Sequence, residues 1–217
     1  TVQGEGHYVE AVDLYRAVQE LEPNNVIPSF EAARLLIYLA ALETGEKRDA
    51  LLEEARKAAD RAILADPERP EGYAIAGKVL NWQGKTDESL NQVRLAIQIN
   101  GDYALAHSYL AETQVDLERW DEALESIQLA LSLDPSSADI RRDYGYVLES
   151  LGDYSSAATQ YETALNLDPN NPYIHSALGR VYRALGRYDD AIDMFFFVAG
   201  LYPENALTEF ELGRTYD

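Results

Sequence analysis

Apolar positions recur three and four residues apart along most of the chain. The clearest runs are "EALESIQLALSLDP" (122–135), "SAATQYETALNLDP" (156–169) and "DAIDMFFFVAGLYP" (190–203). Such spacing predicts an amphipathic α-helix, and the closing proline predicts its stop, because proline cannot continue a helix. A second periodic run accompanies each: "AHSYLAETQVDL", "DIRRDYGYVLESL" and "YIHSALGRVYRAL". A turn written "LGDY" or "LGRY" joins the two helices of a pair.

The stops set a ruler. Pro135, Pro169 and Pro203 are 34 residues apart, and further steps back fall on Gly101 and Pro67. Glycine fits that position if it takes the left-handed conformation that closes many helices. A fixed period of this length is the mark of a repeat architecture in which each helix pair buries its apolar face against the next. Small residues let the paired helices approach, and large ones fill the gap between pairs.

With this period and these positions the chain resembles the tetratricopeptide repeat. Residues 172–205 carry Leu178-Gly179, Tyr182, Ala191, Phe195, Val198 and Pro203; residues 138–171 carry Tyr144-Gly145, Leu148, Ala157, Tyr161, Ala164 and Pro169. Residues 104–137 carry Leu110-Ala111, Ala123, Ile127, Ala130 and Pro135, and residues 70–103 carry Ala76-Gly77, Leu80, Ser89, Val93 and Ala96. The same ruler makes 1–25 a partial repeat with Gly6, Tyr8, Ala11, Tyr15 and Pro23, and 206–217 another with Leu212-Gly213 and Tyr216. Residues 26–69 form one repeat lengthened by ten, since Pro23 and Pro67 are 44 apart. Its extra residues keep helical spacing around Gly45, as an elongated hairpin that projects or as a contact arm. A single array over 1–217, opening and closing inside a repeat, is expected to be a segment of a larger protein.

The resemblance implies an all-α, right-handed α-solenoid of antiparallel helix pairs whose first helices line a concave groove. Family members hold peptides or partner helices there. The ninth position of each repeat reads Arg34, Lys78, Glu112, Tyr146, Arg180 and Arg214, four of six basic in a chain with only 18 basic residues. Arg142 and Arg183 fall on nearby groove positions, with Tyr38, Trp82, Tyr146 and Tyr173 as aromatic companions. Arginine and aromatic side chains anchor many interfaces, and a basic groove in an acidic body would attract an acidic segment. The competing expectation is that these cations pair with carboxylates of neighbouring repeats, such as Glu112, Glu149 or Asp139. The family's clamp for a chaperone's terminal carboxylate is not expected. Asn81 is the only asparagine within a first helix, and no matching Lys and Arg set surrounds it.

Three consecutive phenylalanines, Phe195–Phe197, interrupt this scheme. Successive helical residues turn by about 100°, so they cannot share one buried face. Phe195 takes the core position. Phe196 stands where other repeats have Arg16, Asp60, Arg94, Gln128 and Glu162, and Met194 and Phe197 flank it. Met194, Phe196 and Phe197 are therefore a candidate exposed apolar contact. It would dock a flank or loop, a distinct partner, or a second copy as a homodimer.

Composition narrows the functions. The net charge of −20, from 38 acidic and 18 basic residues, argues against nucleic acid as partner. There is no cysteine, no run long enough for membrane insertion, and no signal-peptide pattern. The chain is then cytoplasmic, or a targeting segment was removed with the rest of a longer protein. His107 and His175 share one repeat position, which points to packing, and His7 stands apart. No phosphate-cradling loop, metal-ligand spacing or catalytic carboxylate pair stands out, so no cofactor and no enzymatic activity are expected. The expected role is a non-catalytic module binding a peptide or protein segment in its groove. The alternative is a structural spacer or oligomerisation arm of a larger enzyme or regulator.

Overall fold

The structure, a computed structural model, describes residues 4–202 and 206–216. Every element among them is helical: α1 (Gly4–Leu21), α2 (Val26–Ala41), α3 (Gly45–Ala65), α4 (Pro70–Trp82), α5 (Thr86–Ile99), α6 (Ala104–Asp116), α7 (Trp120–Leu133), α8 (Ala138–Ser150), α9 (Tyr154–Leu167), α10 (Pro172–Ala184), α11 (Tyr188–Leu201) and α12 (Ala206–Tyr216). Pro203 lies outside the described residues.

Each helix packs on the next, and the even-numbered helices α2 to α12 also pack on one another at every second step. The layer whose members lie closer together is the inner one, so the array curves with the even helices inside. The close pairing rests on small residues. A Cβ built on Gly145 would lie 2.7 Å from the Tyr161 ring, and one on Gly179 would lie 2.7 Å from the Phe195 ring. Tyr161 and Phe195 are fully buried in return.

Both kinds of turn have a local cause. Between paired helices the chain takes positive φ at Gly84, Gly152 and Gly186, and the following N–H bonds back to Leu80, Leu148 and Tyr182. This closes the helix by the left-handed cap. Glu118 holds the same place at φ 57° without being glycine. Between pairs the expectation for Gly101 is corrected. It is not among the positive-φ glycines, and the Asn100 carboxamide makes the turn by accepting from the Asp102 N–H at 3.0 Å. Asp66 and Asp134 accept in the same way from Glu68 and Ser136. The residue before the Pro or Gly therefore sets the turn.

The lengthened repeat absorbs all ten extra residues as helix. α2 has 16 residues where the other inner helices α4, α6, α8 and α10 have 13, and α3 has 21 where its counterparts have 14. The hairpin does not stand free. Its buried alanines Ala55, Ala58, Ala59 and Ala62 form a stripe on α3, and Leu42 at its tip packs with Val198 and Tyr202 of the last described pair. No described helix is long and apolar enough to cross a membrane.

Candidate functional site on the inner face

The inner face is built around charges that the inner helices direct at one another. Asp139 of α8 accepts from Arg34 of α2 at 2.8 Å, from Arg142 at 2.8 Å and from the Tyr38 hydroxyl. Asp143, one turn on, accepts from Arg142 Nη2 at 2.5 Å and Nε at 3.0 Å, and from Ser108 Oγ at 2.7 Å. Lys78 of α4 reaches Glu112 Oε1 at 3.1 Å and Asp143 at 3.5 Å. The result is one polar chain from α2 through α8 to α4 and α6. Most of it is sealed, with Lys78 and Arg142 each 2% exposed and Asp143 1%.

Burial by itself would raise the Asp139 and Asp143 carboxyls, but Arg142 acts on both, with Arg34 beside Asp139 and Lys78 beside Asp143, and holds them below the usual carboxylate range. Glu112 goes the other way. Burial, then the neighbouring Asp143 charge, push it up to about 8 against the pull of Lys78. Tyr38 is raised by burial and by Asp139.

The predicted groove residues thus divide. Lys78 and Arg142 are committed inside the wall, and Arg34 bridges Glu31 and Asp139. Tyr38 is buried, its ring stacked on Tyr173 at 6.1 Å. Arg183 pairs with Glu211 of α12. Arg214 is exposed and lies over the Phe210 ring at 5.5 Å. Trp82, Tyr146, Tyr173 and Arg180 come together around a pocket of about 320 Å³. Arg180 keeps a loose pairing with Glu149 at 3.5 Å. Tyr146 donates to Asp116 at 3.3 Å, and so does the Asn81 amide at 2.7 Å.

Arg48 completes the pocket and was not among the sequence candidates. It comes from the first turn of the lengthened α3 and lies over the Trp82 ring at 5.5 Å. No frame position pointed to it, because α3 belongs to the outer layer. A larger depression of about 580 Å³ lies between α1, α2 and α3, where Arg16 already pairs with Asp13 and Glu54.

The exposed apolar contact is corrected in part. Phe196 is 54% exposed, whereas Met194 packs against the core around Phe195 and Leu178, and Phe197 stacks on His175 at 3.8 Å. Both lean into the array because the preceding α10 lies beside them. At the equivalent of Phe196 one repeat earlier, Glu162 is met by Tyr182 and Arg187 of the following repeat. His175 and His107 each bond a backbone carbonyl, of Asn171 and Gly101.

Family models match part of the chain directly: "TPR repeat" over residues 145–186 and "Tetratricopeptide repeat" over 174–199. Comparison with curated proteins returns no match. Among solved structures, a thermophilic TPR protein from Thermus thermophilus is 22% identical with a TM-score of 0.68, covering 84% of this chain and 96% of its own. A chain in the APC/C hetero-tetramer Cut9–Hcn1 is 18% identical with a TM-score of 0.70; the match covers 98% of this chain but only 40% of that one. YrrB, described as a TPR protein with an unusual peptide-binding site, is 21% identical with a TM-score of 0.52, covering 90% of this chain and 96% of its own. Residues 145–199 thus match tetratricopeptide-repeat family models, and over most of its length the chain has the fold of tetratricopeptide-repeat proteins.

Proposed function

We propose that the chain is a non-catalytic protein-interaction module that holds an acidic peptide or protein segment on its inner face, anchored in the pocket between Arg48 and Arg180. The pocket carries this reading. Two guanidinium groups, one with no carboxylate partner among the described residues, stand beside the aromatic rings of Trp82, Tyr146 and Tyr173. In a chain of net charge −20 this is a local attractor for an anionic side chain, and the aromatic walls would pack its stem. The peptide-binding site named for YrrB lends support by analogy of fold alone.

The test is binding of a short acetylated, amidated oligoglutamate peptide. Reversing both charges, Arg48→Glu with Arg180→Glu, is expected to lower affinity at least tenfold, while Phe196→Glu leaves it unchanged. Equal binding by the double reversal would remove the pocket from the reading. The second reading, an oligomerisation arm, is favoured by the exposed Phe196. It requires a dimer in light scattering that Phe196→Glu dissociates.

A further inference from the structure

We infer that the floor of this pocket is a proton-binding site: Glu112, crowded beside Asp143 on Lys78, holds a proton, and its loss adds a negative charge beneath the pocket that weakens its hold on an anionic ligand. The inference deepens the reading above by adding its regulation, but its core is testable without any ligand.

The geometry decides which acid keeps the proton. Asp143 is supplied with donors from Arg142, Ser108 and Lys78. Glu112 has only Lys78, on Oε1, and its Oε2 is buried without a donor. Both carboxyls meet the same Lys78 ammonium, Glu112 at 3.1 Å and Asp143 at 3.5 Å. Two buried carboxylates crowded on one ammonium repel, which favours protonating one of them, and the one short of donors is Glu112. With Glu112 neutral, Asp143 is faced by the opposite charges of Lys78 and Arg142, and the other carboxyl lining the pocket is Asp116, which accepts from Tyr146 and Asn81. The acid faces Lys78 and Asn81 on α4, Arg142, Asp143 and Tyr146 on α8, and Tyr173 and Arg180 on α10. Arg48 of α3 lies across the pocket, and Ser108 and Asp116 lie on its own helix. Its upward displacement to about 8 places the transition near neutral pH. The nearby phenols of Tyr146 and Tyr173 are raised by burial and do not ionise in this range.

The chain has two tryptophans, so Trp120→Phe leaves Trp82, on the pocket wall, as sole reporter. In that background, Trp82 emission of the full chain is expected to titrate with a midpoint near 8, and Glu112→Gln is expected to abolish the transition while keeping the fold by circular dichroism. A flat profile, or the same transition in Glu112→Gln, would overturn the inference. Oligoglutamate affinity should then fall about tenfold between pH 7 and pH 9 in the parent and stay level in Glu112→Gln. Affinity falling equally in both would also overturn it. A Trp82 titration with no peptide binding at any pH would leave the proton site standing and remove the acidic-ligand reading instead.

Discussion

Glu118 shows what a single side chain can decide. It occupies the left-handed turn position that Gly84, Gly152 and Gly186 hold elsewhere, at φ 57°. An L-residue there is strained, and glycine is not. Glu118→Gly is therefore expected to stabilise the chain by about 0.5–1 kcal/mol, read as a higher denaturant midpoint with unchanged slope. The turn was legible in the sequence where it was spelled with glycine and hidden where it was spelled "LERW". Gly101 erred in the other direction. Its likeness to a cap was real in composition, but the Asn100 side chain does the turning. Among the phenylalanines, the repeat frame together with the angular spacing identified Phe195 as core and Phe196 as outward. The partial burial of Met194 against the core around Leu178, and of Phe197 against His175, depends on neighbours in another helix, which periodicity does not register.

At the scale of elements, helix starts carry measurable free energy. The Asn171 side chain caps α10 by accepting from the Tyr173 N–H at 3.1 Å, and its carbonyl accepts from His175. Asn171→Ala is expected to cost about 1 kcal/mol, checked by denaturant unfolding. The ten-residue insertion was readable as helix from its spacing. How it divides, three residues to α2 and seven to α3, was not. Seven residues are about two helical turns, so the buried stripe of α3 continues at nearly the same angle and carries Arg48 out to Trp82. The ninth-position column of basic residues was visible in the sequence, and so were their candidate partners Glu112, Glu149 and Asp139. Which cations end sealed and which end open depends on how tightly the array curves, and no local pattern encodes curvature.

At the scale of the molecule, the buried charges give stability a definite pH dependence. The Glu112 pKa is raised on folding, so its stabilising contribution is full below about 4.5 and is lost as pH rises towards about 8. Asp139 and Asp143 are lowered on folding, so theirs is present above the ordinary carboxylate range and lost in acid. His175, lowered by burial, disfavours the fold only as pH falls below about 6.5. Between pH 6.5 and 8 Glu112 is thus the group whose titration matters. The thermal midpoint is expected to decline across that window, and Glu112→Gln to flatten the decline, as scanning calorimetry at several pH values would record.

The bonds from Arg34 and Tyr38 to Asp139 join residues 105 and 101 positions apart. An array stabilised only by neighbours frays from its ends, repeat by repeat. Here a helix near the beginning is fastened to one three pairs later, so the intervening helices cannot open singly without breaking the clasp. Amide hydrogen exchange should therefore find α2 through α8 opening as one cooperative unit, and Asp139→Ala should split it into units that exchange at separate rates. The polar thread across the inner face converts a linear stack into a closed loop, and with it a graded melting into a concerted one.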